Sequence, residues 1–191
     1  MSIKVCLAGG TGWAGSALSR GILDAEDMQL AAVISRTYAG QALGEALDID
    51  GLDTPIFRSV DEALSSKPDV FVEYTKPDVA KARVLSALNG GILVVVGSSG
   101  LGVYNYQVID SAAQMVGRGV LAVGNFALTV VLLQKFAEIA AGYIPHWEII
   151  DYAHSAKIDA PSGTALELAN RLSAVRESQL DVPLEAMHGP R

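Results

Sequence analysis

Apolar positions along this chain fall into two rhythms. Ile3 to Ala8 and Leu30 to Ile34 are short, nearly unbroken apolar runs closed by turn residues, and Val70 to Tyr74, Ile92 to Val96 and Val120 to Val123 repeat the form. Runs this short and this continuous predict strands buried on both faces, as in a parallel sheet. Between them the spacing lengthens. Gly12 to Leu23 carries Ala14, Leu18 and Ile22 on one stripe and predicts a helix, as do Asp61 to Leu64, Pro77 to Leu88 and Tyr104 to Met115. Strands alternating with helices predict an α/β fold, a Rossmann-like doubly wound parallel sheet.

The rhythm changes near Asn125. Leu128, Leu132, Phe136 and Ile139 predict a longer amphipathic helix that stops around Gly142 and Pro145. Trp147 to His154 predicts a strand with Glu148, Ile150, Tyr152 and His154 on one face. Thr164 to Val175 predicts a further helix, with Thr164 and Glu167 as its capping box. We therefore place a dinucleotide-binding domain at residues 1–124 and an incomplete α+β substrate-binding domain at 125–191. One strand and two helices bury too little surface for a core of their own, so the chain reads as shortened at its C-terminal end.

Composition narrows the classes of function. Half of the 191 residues are hydrophobic and 18% are charged, which is the balance of a chain with a packed core. A formal net charge of −7 repels nucleic acid, so no nucleic-acid partner is expected. Cys6 is the only cysteine, which excludes a disulfide framework or a thiolate metal site, and no metal is expected. Neither a membrane span nor the layout of a signal peptide is present, so the expected location is cytoplasmic with no membrane partner.

The chemistry concentrates at turns. Gly9, Gly12 and Gly15 lie between a buried strand and a helix, where they allow a tight turn, close approach of a pyrophosphate and close helix–strand packing. Gly9, Gly12, Trp13, Ala14 and Gly15 are accordingly candidate cofactor contacts. The second strand ends in Ser35-Arg36-Thr37, with no carboxylate to take ribose hydroxyls and one guanidinium suited to a 2′-phosphate. Arg36 thus favours NADPH, with NADH possible. Thr75 and the Gly97, Ser98, Ser99 turn follow two further strands, where ligands meet open parallel sheets, and Asn125 and Phe126 fall at the domain boundary.

The densest cluster runs from His154 to Thr164. An imidazole and the Lys157 ammonium stand three residues apart, just ahead of Ser162, Gly163 and Thr164 at a helix start. Unpaired N–H groups, hydroxyls and an ammonium together suit a small anionic substrate. His154 and Lys157 are the candidate proton carriers.

These residues give the chain a resemblance to the dihydrodipicolinate reductase (4-hydroxy-tetrahydrodipicolinate reductase) family. It is carried by the glycine loop, Glu73-Tyr74-Thr75-Lys76-Pro77, Gly97-Ser98-Ser99-Gly100, Asn125-Phe126, and the block from Glu148 through Thr164. The resemblance implies hydride transfer from NAD(P)H to C4 of a cyclic unsaturated imine dicarboxylate, then protonation at C3, on the diaminopimelate route to lysine. It implies Lys157 as catalytic lysine, His154 as second member of a histidine pair and as a substrate contact, and Ser162, Gly163 and Thr164 as the substrate-carboxylate loop. Ser98 and Ser99 match two threonines of the family's cofactor loop, and Arg36 a basic residue at the adenosine phosphate. A homotetramer is implied for the full-length protein. Three departures stand out: Ala153 replaces the first histidine of the pair, Ala127-Leu128-Thr129 replaces a Ser-x-Gly stretch, and the sequence stops at Arg191 where the family continues. They keep two alternatives open, a related NAD(P)-dependent amino- or imino-acid dehydrogenase and a catalytically impaired cofactor-binding homologue.

Overall fold

A computed structural model describes residues 2–152 and 161–179. Six parallel strands form one sheet in the order β3-β2-β1-β4-β5-β6. They are β1 (Ile3–Ala8), β2 (Met28–Ile34), β3 (Ile56–Phe57), β4 (Val70–Glu73), β5 (Leu93–Val96) and β6 (Val120–Ala122). The helices are α1 (Trp13–Asp24), α2 (Leu43–Leu47), α3 (Val60–Ala63), α4 (Pro77–Asn89), α5 (Val103–Val116), α6 (Leu128–Tyr143) and α7 (Gly163–Val175). A 3₁₀ turn at Leu64–Ser66 follows α3. The chain divides into two compact units, Met1–Val123 and Gly124–Arg191.

In the first unit β1 lies between β2 and β4, so the winding direction reverses at the β1–β4 pair. This is the position at which doubly wound sheets bind ligands, beyond the carboxyl ends of their strands. Alternation along β1 sends Cys6 and Ala8 into one hydrophobic core and Leu7 into the other. In β2 the register slips by one residue opposite Val5 and Cys6. That extra residue puts Leu30 and Val33, three apart, into the same core, while Ala32 and Ile34 enter the opposite one. Phe71, Leu7 and Val33 have no exposed surface, and each contributes roughly 1.5–3 kcal/mol by leaving water. Pro77 opens α4 at a position where its missing N–H has no intrahelical partner to lose.

The predicted strands and principal helices of this unit form within a residue or two of their expected ends. Two small elements, α2 and β3, were not anticipated. They are too short to carry a periodic signal, and β3 is fixed by the sheet edge, pairing Ile56 and Phe57 with Val33 and Ile34.

The second unit contains α6 and α7, joined where Arg171 Nη1 meets Glu138 Oε1 at 3.0 Å. Two expectations are corrected here. Trp147 to Tyr152 joins no sheet: no other strand among the described residues lies alongside it, and the N–H and carbonyl of Trp147 are both taken by the Ser178 hydroxyl. The remainder of that predicted strand, Ala153 and His154, lies outside the described residues. The cap of α7 is Ser162, whose side chain accepts the Ala165 N–H at 3.2 Å, rather than Thr164. Glu167, expected to reach back to the helix start, instead accepts from Arg171 at 3.0 Å. A cationic partner one turn along outcompetes a neutral backbone N–H.

Candidate functional site

The carboxyl ends of β1, β2, β4 and β5 carry the candidate residues of the first unit. After β1 the chain turns at Gly9, whose φ of +85° is open to glycine at little cost. Its N–H donates to Ile34 O at 2.9 Å and its carbonyl accepts from Gly12 N–H at 2.9 Å. A β-carbon on Gly9 would stand 2.6 Å from the Tyr74 carbonyl oxygen, so a side chain is excluded by space as well as by conformation. Gly15 packs the α1 backbone directly on this turn. Ser19, fully buried one turn farther along α1, donates to Gly10 O at 3.0 Å and pins the loop to the helix.

Gly12 caps α1 without any side-chain bond, and the first turn holds no acidic residue. Among the described residues no side chain caps its leading N–H groups, which leaves the positive end of the helix without an internal acceptor there. Trp13 is 96% exposed beside this opening and Ala14 is half-buried. A narrow glycine turn under an uncapped helix start fits a pyrophosphate. At the end of β2, Thr11 donates its hydroxyl to Ser35 at 3.1 Å, and Arg36 is exposed.

At the ends of β4 and β5 the structure shows a residue that sequence reasoning passed over. Glu73, the last residue of β4, is fully buried. Its Oε1 accepts the Thr75 N–H at 2.8 Å, the Thr75 hydroxyl, and the Ser98 hydroxyl at 3.3 Å. Arg83 on α4 donates to the Thr75 hydroxyl at 3.1 Å. Burial pushes the Glu73 carboxyl above its ordinary range, opposed by the Thr75 hydroxyl, Arg83 and Ser98. The neighbouring Cys6 thiol is pushed up to about 12, first by burial and then by Glu73, with Arg83 opposing. The available signal was alternation: Phe71 and Glu73 share a strand face, and that face points into the core.

This network changes what Thr75 and Ser98 can offer. Both hydroxyls donate to Glu73 and so order the strand ends at which the sequence places ligand contacts. Ser99 is exposed and Gly97 half-buried at the same turn. In the second unit Asn125 is half-buried and Phe126 is 54% exposed. The Ser162 N–H donates to Asp151 Oδ2 at 2.7 Å while the Ser162 hydroxyl serves as the α7 cap, and Thr164 is exposed. His154 and Lys157 lie outside the described residues. No helix among the described residues is long and apolar enough to cross a membrane.

A parallel sheet reversing at β1–β4, with a glycine turn leading into an uncapped helix, defines a dinucleotide-binding α/β protein. Family models for the N-terminus and the C-terminus of dihydrodipicolinate reductase match residues 3–126 and 129–190. The chain belongs to the dihydrodipicolinate reductase family, whose members are NAD(P)H-dependent oxidoreductases. A 4-hydroxy-tetrahydrodipicolinate reductase of Bacillus licheniformis is 35% identical over 179 residues, 93% of this chain and 67% of that protein. Its counterpart in Geobacillus thermodenitrificans is 36% identical over 94% of this chain and 68% of its own. Among solved structures, a dipicolinate-bound dihydrodipicolinate reductase from Paenisporosarcina superposes with a TM-score of 0.77 at 30% identity, covering 98% of this chain and 72% of that one. A scyllo-inositol dehydrogenase from Lactobacillus casei shares the fold alone, with a TM-score of 0.56 at 17% identity over 73% of this chain and 42% of its own. The chain spans about two thirds of the length of these curated relatives.

Proposed function

We propose that this chain is the NADPH-dependent reductase of a cyclic imine dicarboxylate, 4-hydroxy-tetrahydrodipicolinate, on the diaminopimelate route to lysine. The observation that carries the proposal is the family match along both halves, met in the first half by a glycine turn and helix start that fit a dinucleotide. When bound, the nicotinamide would supply a hydride for C4 of the ring, once the 4-hydroxyl and a C3 hydrogen have left as water to give a conjugated C3–C4 double bond.

The protein's own groups hold and charge the reactants. Gly9, Gly12 and Gly15 keep the turn narrow, and the N–H groups of Trp13 and Ala14 take the pyrophosphate. Arg36 pairs with the 2′-phosphate, which selects NADPH over NADH. The Gly97–Ser99 turn and Thr75 line the nicotinamide side, and Asn125 and Phe126 are further cofactor contacts. The Ser162, Gly163, Thr164 loop holds a substrate carboxylate. The Ser162 oxygen accepts the Ala165 N–H as a cap, so its O–H proton can still donate, beside the N–H groups of Gly163 and Thr164 and the Thr164 hydroxyl. Lys157 supplies the proton that completes reduction at C3, with His154 as the second substrate contact. On the same reading the full-length protein acts in the cytoplasm as a homotetramer.

The test follows NADPH consumption with enzymatically generated substrate. Lys157→Ala should lower turnover by about 10²–10⁴-fold, the usual worth of a general acid or base. Near-normal turnover would remove Lys157 from the mechanism. Ala153, where the family has a histidine, favours a second reading in which turnover is impaired or another imino acid is preferred. Ala153→His raises turnover if proton delivery limits the rate. Parallel assays with simple imino acids separate the two substrates.

A further inference from the structure

We propose that Glu73 is a positioning residue for the nicotinamide half of the nucleotide site, fixing the ends of β4 and β5 through Thr75 and Ser98. The inference rests on the dinucleotide reading above and adds to it a residue that touches no ligand.

The starting point is a cost. Placing a carboxyl at the end of a central strand with no exposed surface is unfavourable unless its oxygens are hydrogen-bonded. Here the satisfaction is lopsided. Oε1 gathers the Thr75 N–H, the Thr75 hydroxyl and the Ser98 hydroxyl, whereas Oε2 is buried with no partner among the described residues. A residue selected only to stabilise the sheet would be apolar at this position, like Phe71 two residues before it.

What the carboxyl accomplishes is local order at two strand ends. The Thr75 N–H is shared between Glu73 Oε1 and Ser98 Oγ at 2.8 and 2.9 Å, and Gly97 N–H donates to the Glu73 carbonyl at 3.0 Å. Arg83 holds the Thr75 hydroxyl from the other side at 3.1 Å. The Thr75 hydroxyl is thus directed at the carboxyl, and the Ser98 hydroxyl, with the Glu73 carbonyl at 3.4 Å and Oε1 at 3.3 Å as acceptors, is tied to the same residue, which fixes the backbone course of the turns at 75 and 97–99. The Thr75 methyl carbon also sits 2.9 Å from where a β-carbon on Gly9 would stand, so this rim rests directly on the phosphate turn.

Geometry assigns the rim to one end of the ligand. With the pyrophosphate at the α1 start and the adenosine side at Ser35 and Arg36 beyond β2, the dinucleotide continues across the sheet reversal toward β4 and β5. Glu73 lies under that second half.

The test measures binding of two probes to the full chain by calorimetry, NADPH and adenosine 2′,5′-bisphosphate, the latter lacking the nicotinamide half. Glu73→Ala should weaken NADPH about tenfold or more, the scale of one or two buried hydrogen bonds, and leave adenosine 2′,5′-bisphosphate within about twofold. Glu73→Gln keeps an acceptor oxygen and should recover most of the NADPH affinity. Equal weakening of both probes would show a general structural role and overturn the proposal, as would unchanged NADPH binding. If Glu73→Ala does not fold, Ser98→Ala removes only the β5 side of the clamp. It should weaken NADPH several-fold, and no change there overturns the proposal. A wild-type chain that binds neither probe instead refutes the dinucleotide reading itself.

Discussion

A β-carbon built on Gly15 would lie 1.8 Å from the carbonyl oxygen of Gly9. Helix propensity alone favours alanine over glycine at such a position by about 1 kcal/mol. The overlap is with backbone, which cannot swing aside, so sterics decide the sign. Gly15→Ala should destabilise the chain by more than about 3 kcal/mol or push α1 off the turn and abolish NADPH binding. Denaturant unfolding and calorimetry check this, and a variant of normal stability and affinity contradicts the packing described.

Arg36 is an exposed cation at a strand end that lacks a carboxylate. Arg36→Ala should weaken NADPH by about 10–100-fold, the range of a lost charge-assisted hydrogen bond, and leave NADH nearly unchanged. Equal losses for the two nucleotides would remove the 2′-phosphate contact.

Glu73 also sets a pH dependence. Burial raises its pKa in the folded state, partly opposed by Thr75, Arg83 and Ser98, and Glu73 in turn helps burial raise the neighbouring Cys6 thiol. The folded protein then binds the Glu73 proton more tightly than the unfolded chain does. Its contribution to stability is full below the ordinary carboxylate pKa and is lost as pH rises through the folded value. Glu73→Gln should remove this component. The stability of the variant relative to wild type should therefore rise with pH across that window. Parallel stability–pH curves for the two proteins would contradict the assignment.

Ser162 caps α7 through its hydroxyl. Ser162→Ala should cost about 1 kcal/mol of stability, and Ser162→Asp should recover most of it. Thermal unfolding reads the first effect. If neither substitution alters stability, the cap is not formed in solution.

Apart from the two-residue edge strand β3 and the short α2 before it, the sheet was legible from the sequence because its strands are compact apolar runs joined by crossovers of helical spacing. Ile3 to Ala8 and Val70 to Glu73 carry that signal within their own residues. Trp147 to Tyr152 has the alternation of a strand, but a strand needs a neighbour, and no local pattern reports one. The glycine turn was legible because its constraint is steric and local. Glu73 was not, since a carboxylate closing a strand reads as solvated until residues 75, 83 and 98 are brought around it. The same folding gives Ser98 a supporting role beside Glu73 that its position at a strand end does not announce. Thr164 was mistaken for a cap because Ser162, two residues earlier, is equally suited to that role.

The hydrogen bond from Thr11 to Ser35 lies on the β2 side of β1, whereas the bonds from Thr75 and Ser98 to Glu73 lie on the β4 side. The two clusters share no residue. Sequence drift at 35 and 36 can therefore retune which nucleotide is preferred while the support for its reactive end stays intact. Selection on cofactor supply and selection on reaction geometry can act on this domain separately.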